Sequence, residues 1–152
     1  MGGLEDRKCR TSDQLNATGR YHFYGIYMDD SNNGYGYRKI SIQTAFEKSS
    51  NVFIKIINDA YKSNPQAYIR RLKSFGLADP LDIPIDGEKK PTLYEPGDTE
   101  WSGLSLPWMA VGYEFQQTPL QTLAFYNAVA NNGVMVRPQF VKEIYKIGRA
   151  HV

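Results

Sequence analysis

Ser41-Ile42-Gln43-Thr44-Ala45-Phe46-Glu47-Lys48-Ser49-Ser50-Asn51-Val52-Phe53-Ile54-Lys55-Ile56-Ile57 places three small polar residues between two apolar runs. Ser41 is suited to cap a helix through Ile42, Ala45 and Phe46, because a serine oxygen at that position accepts an otherwise unpaired amide hydrogen. Thr44 and Glu47 have capping-box spacing, a weaker signal for the same element. Beyond the interruption, Val52, Phe53, Ile56, Ile57 and Ala60 recur at helical spacing and predict a second helix with one face toward a core. The triplet Ser49-Ser50-Asn51 therefore falls near a helix start. A Ser or Asn at such a place often serves as a helix cap.

Working outward toward the C-terminus, Asn64-Pro65 is an N-cap and first-turn pair. The helix it opens carries Tyr68, Ile69, Leu72 and Phe75, and Gly76 closes it in a left-handed cap. Residues 77–107 hold most of the prolines and read as a long ordered loop, a length that hints at a functional rim. Thr118-Pro119 begins another helix, with Leu120, Leu123, Ala124, Ala128 and Val129 as its buried face and Gly133 as its end. Val134-Met135-Val136 reads as a short strand, and Phe140 to Ile144 as a second. Ile147-Gly148-Arg149-Ala150-His151-Val152 matches one reading frame of a common short-read sequencing adapter. The division expected is a domain portion over 1–146 and a non-native tail over 147–152.

Toward the N-terminus, Arg20 to Met28 is aromatic and favours a strand or an extended loop. Ordinary packing outweighs a sugar-binding platform as the reason for its aromatic side chains. Asp29 to Gly36 is a turn-rich loop. Asp29 and Asp30 read there as a solvated turn rather than as paired catalytic acids. Residues 1–20 are polar and mixed, with a turn at Asn16-Ala17-Thr18-Gly19.

Composition narrows the function classes. Eighteen basic against sixteen acidic residues give a net charge of +2, too balanced for nucleic acid, and no Lys/Arg cluster marks one stretch. Cys9 is the lone cysteine, so neither an internal disulfide nor a cysteine-based zinc site can form. His22 and His151 lie far apart without a motif, which argues against a metal site. No run of about 18 apolar residues occurs, so no segment reads as a membrane span.

Three strings taken in order carry a resemblance. They are Lys48-Ser49-Ser50-Asn51-Val52, then Gly112-Tyr113-Glu114-Phe115-Gln116-Gln117-Thr118-Pro119-Leu120-Gln121, then Ala130-Asn131-Asn132-Gly133-Val134-Met135-Val136-Arg137-Pro138. Over roughly residues 38–145 the chain resembles the penicillin-binding transpeptidases, in particular the class B, division-type enzymes. Leu106-Pro107-Trp108-Met109-Ala110 and Asn64-Pro65 resemble the version found in Bacteroides-like bacteria. A second Ser-x-Asn, Ser31-Asn32-Asn33, sits in a Gly-rich loop and reads as turn chemistry.

The resemblance implies an α/β fold of the α+β type, an antiparallel sheet flanked by helices with a helical lobe, of which this chain supplies mainly the lobe. It implies acyl transfer through a serine ester, served by Ser-x-x-Lys, Ser-x-Asn and Lys-Thr-Gly or Lys-Ser-Gly motifs. In that scheme Ser49 relays a proton toward the leaving amine. Asn51 donates hydrogen bonds to the substrate backbone and helps hold the lysine, and Ser50 is the variable middle position. No serine here is followed by lysine three positions on, and neither Lys-Thr-Gly nor Lys-Ser-Gly occurs. The chain is thus expected to be an internal portion of a longer enzyme, inactive alone, with the nucleophile and base outside it. The implied partners are peptidoglycan stem peptides, β-lactams and division or cell-wall synthesis proteins. No cofactor, metal or nucleic acid is implied. The implied location is the cytoplasmic membrane, with the catalytic domain facing the periplasm. A non-catalytic scaffold of the same fold, or a D,D-carboxypeptidase or β-lactamase relative, stays open as an alternative.

Overall fold

The computed structural model describes residues 1–84 and 86–145. The adapter-like tail and His151 lie outside the described residues. The chain begins with a single helical turn, α1 (Gly2–Glu5), followed by β1 (Gln14–Ala17), β2 (Arg20–Phe23), β3 (Ile26–Asp29) and β4 (Arg38–Ser41). The helices α2 (Ile42–Glu47), α3 (Val52–Tyr61) and α4 (Pro65–Ser74) follow. Then come β5 (Thr92–Leu93), α5 (Ser105–Met109), β6 (Phe115–Gln116) and α6 (Pro119–Ala130).

The strands form three antiparallel pairs. β1 lies against β4 with Gln14 opposite Ser41 and Ala17 opposite Arg38. β2 and β3 make a hairpin with Arg20 opposite Asp29, and β5 pairs β6. The aromatic tract read as one extended piece is therefore two strands. Its two-residue turn is Tyr24-Gly25, with φ of 47° and 82°. Positive φ at both positions is the turn geometry that matches strand twist. The Tyr24 ring is pressed onto Gly103, where a Cβ would come within 2.6 Å of it. That contact helps hold a tyrosine in a conformation that usually selects Asn or Gly.

Two apolar clusters form, and α3 runs between them. Ile57 and Tyr61 join Tyr68, Ile69, Leu106 and Met109 in one. Val52 joins Ala17, Tyr21 and Ala45 in the other. The buried stripe of α3 is Val52, Ile54, Ile57 and Tyr61, whereas Phe53, Ile56 and Ala60 are only half-buried. The stripe is thus rotated from the one expected, because α3 is covered on two sides rather than one. On α6 the buried residues are Gln121, Ala124 and Ala128, while Leu123 and Val129 are exposed.

The expected helix ends largely hold. Ser41 accepts from the Thr44 amide at 3.1 Å. Pro65 opens α4, although Asn64 makes no side-chain cap, and Gly76 follows α4 at φ 71°. At α6, Thr118 and Gln121 form a reciprocal capping box: the Gln121 amide donates to Thr118 Oγ1 and the Thr118 amide to Gln121 Oε1. The two strands expected over 134–136 and 140–144 are absent. A strand needs a neighbour to complete its ladder, and among the described residues none lies beside Val134, Val136, Phe140, Val141 or Ile144, which are all exposed.

α1 is fastened to α4 by Asp6. Its Oδ1 accepts from Arg71 Nε at 2.7 Å and its Oδ2 from the Tyr61 hydroxyl at 2.6 Å. The Arg71 hydrogen bond, opposed in part by burial, holds the Asp6 carboxyl below its ordinary range. Burial, and then the bond to Asp6, raises the Tyr61 phenol. The folded-state value for Asp6 thus lies below the unfolded one. Its stabilisation is complete above roughly pH 4 and is lost as pH falls through the lowered folded value. Asp6→Asn is expected to flatten the acid limb of a stability–pH profile. An acid limb identical to that of the unmutated protein would show that this network contributes nothing.

Candidate functional site

The motif sits where α2 hands over to α3. Helix α2 ends with Lys48 as C-cap, and Ser49 follows at φ 52°. The Ser49 amide donates to Phe46 O at 3.0 Å and the Ser50 amide to Ala45 O at 2.9 Å. This pair of bonds is a Schellman closure, with Ser49 in the left-handed position usually filled by glycine. A side chain there costs about 1–2 kcal/mol. Ser49 is exposed, and its hydroxyl makes no hydrogen bond among the described residues.

Ser50 and Asn51 are held differently. Ser50 is 2% exposed, and its hydroxyl donates to the Asp30 carboxylate, 3.0 Å from Oδ2 and 3.3 Å from Oδ1. The same oxygen accepts from the Val52 amide at 3.3 Å. The Asn51 amide donates to Asp30 Oδ1 at 2.5 Å, and Asn51 Nδ2 donates to the carbonyl of Asp29 at 2.7 Å. Asn51 occupies the N-cap of α3 without a side-chain cap bond. Neither Ser49 nor Asn51 caps a helix with its side chain, so capping does not account for either. The first amide of α3, that of Val52, is met instead by Ser50 Oγ.

Asp30 corrects the sequence reading. It is not in a solvated turn: it is 2% exposed, and its carboxylate is enclosed by the motif. Asp29 faces the other way and forms a two-bond pair with Arg20 across the hairpin, at 2.8 and 2.7 Å, which holds its carboxyl below the ordinary range. No sequence signal marked Asp30, because its partners lie twenty and twenty-one residues on. The other titratable candidates contribute little. Cys9 lines an apolar cavity of about 230 Å³ with Leu4, Ile42, Phe46 and Ile57. Burial there pushes its thiol up, away from reactivity. His22 packs on Tyr27 across the hairpin, ring centroids 4.5 Å apart.

The model of the penicillin-binding protein transpeptidase domain matches residues 1–152. The chain belongs to that transpeptidase-domain family. A relative, the penicillin-binding protein PbpB of Mycolicibacterium smegmatis, is 30% identical over 91% of this chain and 21% of its own length. PbpB of Mycobacterium tuberculosis is 30% identical over 84% of this chain and 18% of its own. A peptidoglycan glycosyltransferase from Burkholderia ambifaria superposes with a TM-score of 0.78 at 19% identity, covering 97% of this chain and 45% of that one. The transpeptidase-domain fold is therefore shared, and the expected α+β architecture is borne out. The chain spans about a fifth of the length of these curated relatives.

The second resemblance string takes on a physical meaning within this family fold. Thr118-Pro119-Leu120-Gln121 is the capping box of α6, and Gln121 also donates from Nε2 to Lys89 O at 3.1 Å. These residues join α6 to the loop after α4 and have no place near Ser49 in the hydrogen-bond network. The first string places the exposed Ser49 beside Ser50 and Asn51, which are bonded to the buried Asp30 carboxyl group.

Proposed function

We propose that this chain is an internal segment of a peptidoglycan D,D-transpeptidase, that Ser49-Ser50-Asn51 is its second active-site motif, and that Ser49 and Asn51 act on substrate. The observation that supports this reading most is Ser49 itself. Its side chain occupies a left-handed helix end where glycine would be free of strain, with its hydroxyl exposed. Strain kept at such a position points to a task for the side chain.

In the proposed chemistry, a serine outside this chain attacks the carbonyl carbon of the penultimate D-alanine of a stem peptide. The carbonyl–nitrogen bond breaks, D-alanine leaves with a proton, and a serine ester remains. The amine of a second stem peptide then takes the acyl group and regenerates the serine. Ser49 passes the proton to the departing amine, which its hydroxyl can do because it both donates and accepts. The Asn51 carboxamide has one N–H engaged with Asp29 O. Its other N–H and its oxygen remain for the substrate backbone and for the lysine of the first motif. β-Lactams acylate the same serine as mimics of the peptide. The longer protein is anchored in the cytoplasmic membrane, faces the periplasm and works with cell-wall synthesis proteins. Among the described residues no helix is long and apolar enough to cross a membrane, so the anchor belongs outside them.

The test uses the full-length protein and a fluorescent penicillin. Ser49→Ala is expected to slow acylation by on the order of 10²–10⁴-fold, the range for loss of a positioned proton-transfer group, and Asn51→Ala, which removes hydrogen bonds to the substrate and the lysine, is expected to slow it as well. Unchanged acylation by both variants would leave the motif a structural turn.

A further inference from the structure

Asp30 is a carboxylate almost wholly withdrawn from water, at 2% exposure, with no cationic side chain in salt-bridge contact among the described residues. A group of that kind is retained only where its hydrogen bonds are complete. Both oxygens are spent on two consecutive residues of the motif. Oδ1 takes the Asn51 amide at 2.5 Å and shares the Ser50 hydroxyl, and Oδ2 takes that hydroxyl at 3.0 Å. The backbone around it is fixed as well. The Asp30 amide donates to Gly19 O at 2.7 Å, and the Gly34 amide donates to Asp30 O at 3.0 Å. Next to it, Asp29 O holds the Asn51 side chain. The end of the β2–β3 hairpin thus grips the peptide between Ser50 and Asn51 from one side, while the Schellman closure of α2 grips Ser49 from the other.

We propose that Asp30 is a positioning residue for acyl transfer: through Ser50 and the Asn51 amide, it sets where the Ser49 hydroxyl and the Asn51 carboxamide stand toward substrate. This rests on the assignment of Ser49-Ser50-Asn51 as the second active-site motif. Without the carboxylate, the Ser50 hydroxyl and the Asn51 N–H lose their acceptor inside the protein. The turn carrying Ser49, already strained at φ 52°, is then free to relax into a more extended conformation. Displacements of about 1 Å at a reacting group cost on the order of 100-fold in rate. Asparagine preserves most of the grip. Its oxygen accepts from the Asn51 amide, and its N–H donates to Ser50 Oγ, which has a second lone pair for the Val52 amide.

The experiment measures penicillin acylation of the full-length protein over a range of penicillin concentrations, separating the first-order acylation constant from the half-saturating concentration. Asp30→Ala is expected to lower the acylation constant by tenfold to about 100-fold, with a smaller change in half-saturation. Asp30→Asn is expected to restore most of it. Ser50→Ala, which keeps the Asn51 bond, is expected to fall between and serves in place of Asp30→Ala if that variant does not fold. A lowered melting temperature with an unchanged acylation constant in Asp30→Ala or Ser50→Ala would overturn the positioning role and leave a structural one. Ser49→Ala in parallel distinguishes the two failures. A defect there without one at Asp30 sinks this inference alone, and no defect at Ser49 sinks the assignment beneath it.

Discussion

Ser49→Gly is expected to make the protein more stable and nearly inactive. The left-handed conformation at φ 52° costs a side-chain-bearing residue about 1–2 kcal/mol. Glycine escapes that cost but loses roughly 0.5–1 kcal/mol more in chain entropy on folding. The difference leaves a net gain of about 0–1.5 kcal/mol, and no hydrogen bond of the Ser49 hydroxyl among the described residues opposes it. The same change removes the hydroxyl proposed to carry the proton, so penicillin acylation should fall by on the order of 10²–10⁴-fold. A stabilising substitution that destroys activity is what strain kept for function looks like. The measurement pairs thermal unfolding with acylation of the full-length protein. A higher melting temperature with unchanged acylation would mean that the strain at Ser49 serves nothing chemical.

The helices were legible because their signals are local. Ser41, Pro65, Gly76, Thr118 and Gly133 each mark an end through a bond or a conformation within a few residues, and the motif falls between α2 and α3 as its spacing implied. The hairpin at Tyr24-Gly25 was hidden because its turn lacks the usual Asn or Asp in first place. The Tyr24 ring lies against Gly103, nearly eighty positions on. The pairing of β1 with β4 and the strands expected over 134–144 depend on what lies beside them, which no local pattern records. Buried stripes slipped for a related reason. Periodicity locates one apolar face, whereas α3 is covered on two, so Ile54 and Tyr61 are buried where Phe53 and Ala60 were expected.

The site was half legible in the same sense. The triplet Ser49-Ser50-Asn51 could be found, but not which of its members faced outward, nor that Asp30 lay behind it. The outward direction of Ser49 follows from a helix ending whose carbonyl acceptors are Phe46 and Ala45. The inward direction of Ser50 follows from a carboxylate delivered by the hairpin. An acidic pair beside Ser-Asn-Asn-Gly has the composition of an exposed turn, and only the long-range bonds from Ser50 and Asn51 make half of it a buried anchor.

The largest loss of stability is expected from Gly19→Ala. Gly19 has φ 86°, and a Cβ on it would lie 2.1 Å from Gly36 N and 2.4 Å from Gly34 O. Gly36 faces the same crossing, where a Cβ would stand 2.2 Å from Ala17 O. All of these are backbone atoms, which cannot swing aside as a side chain can. The strain of a left-handed alanine, about 1–2 kcal/mol, adds to about 1–3 kcal/mol for forcing the two backbones apart, giving about 2–5 kcal/mol in all. The damage should also travel. Gly19 O accepts from the Asp30 amide, and Asp30 holds Ser50 and Asn51, so parting the crossing displaces the carboxylate behind the motif. Acylation should therefore fall together with the unfolding midpoint. Gly25→Ala is the control, because Gly25 has φ 82° but nothing within 4 Å of a Cβ. It carries the backbone strain without the collision, and should lose about 1–2 kcal/mol with acylation intact. If Gly19→Ala proves no worse than Gly25→Ala in either measurement, then the crossing of the two glycines does not hold Asp30 in place.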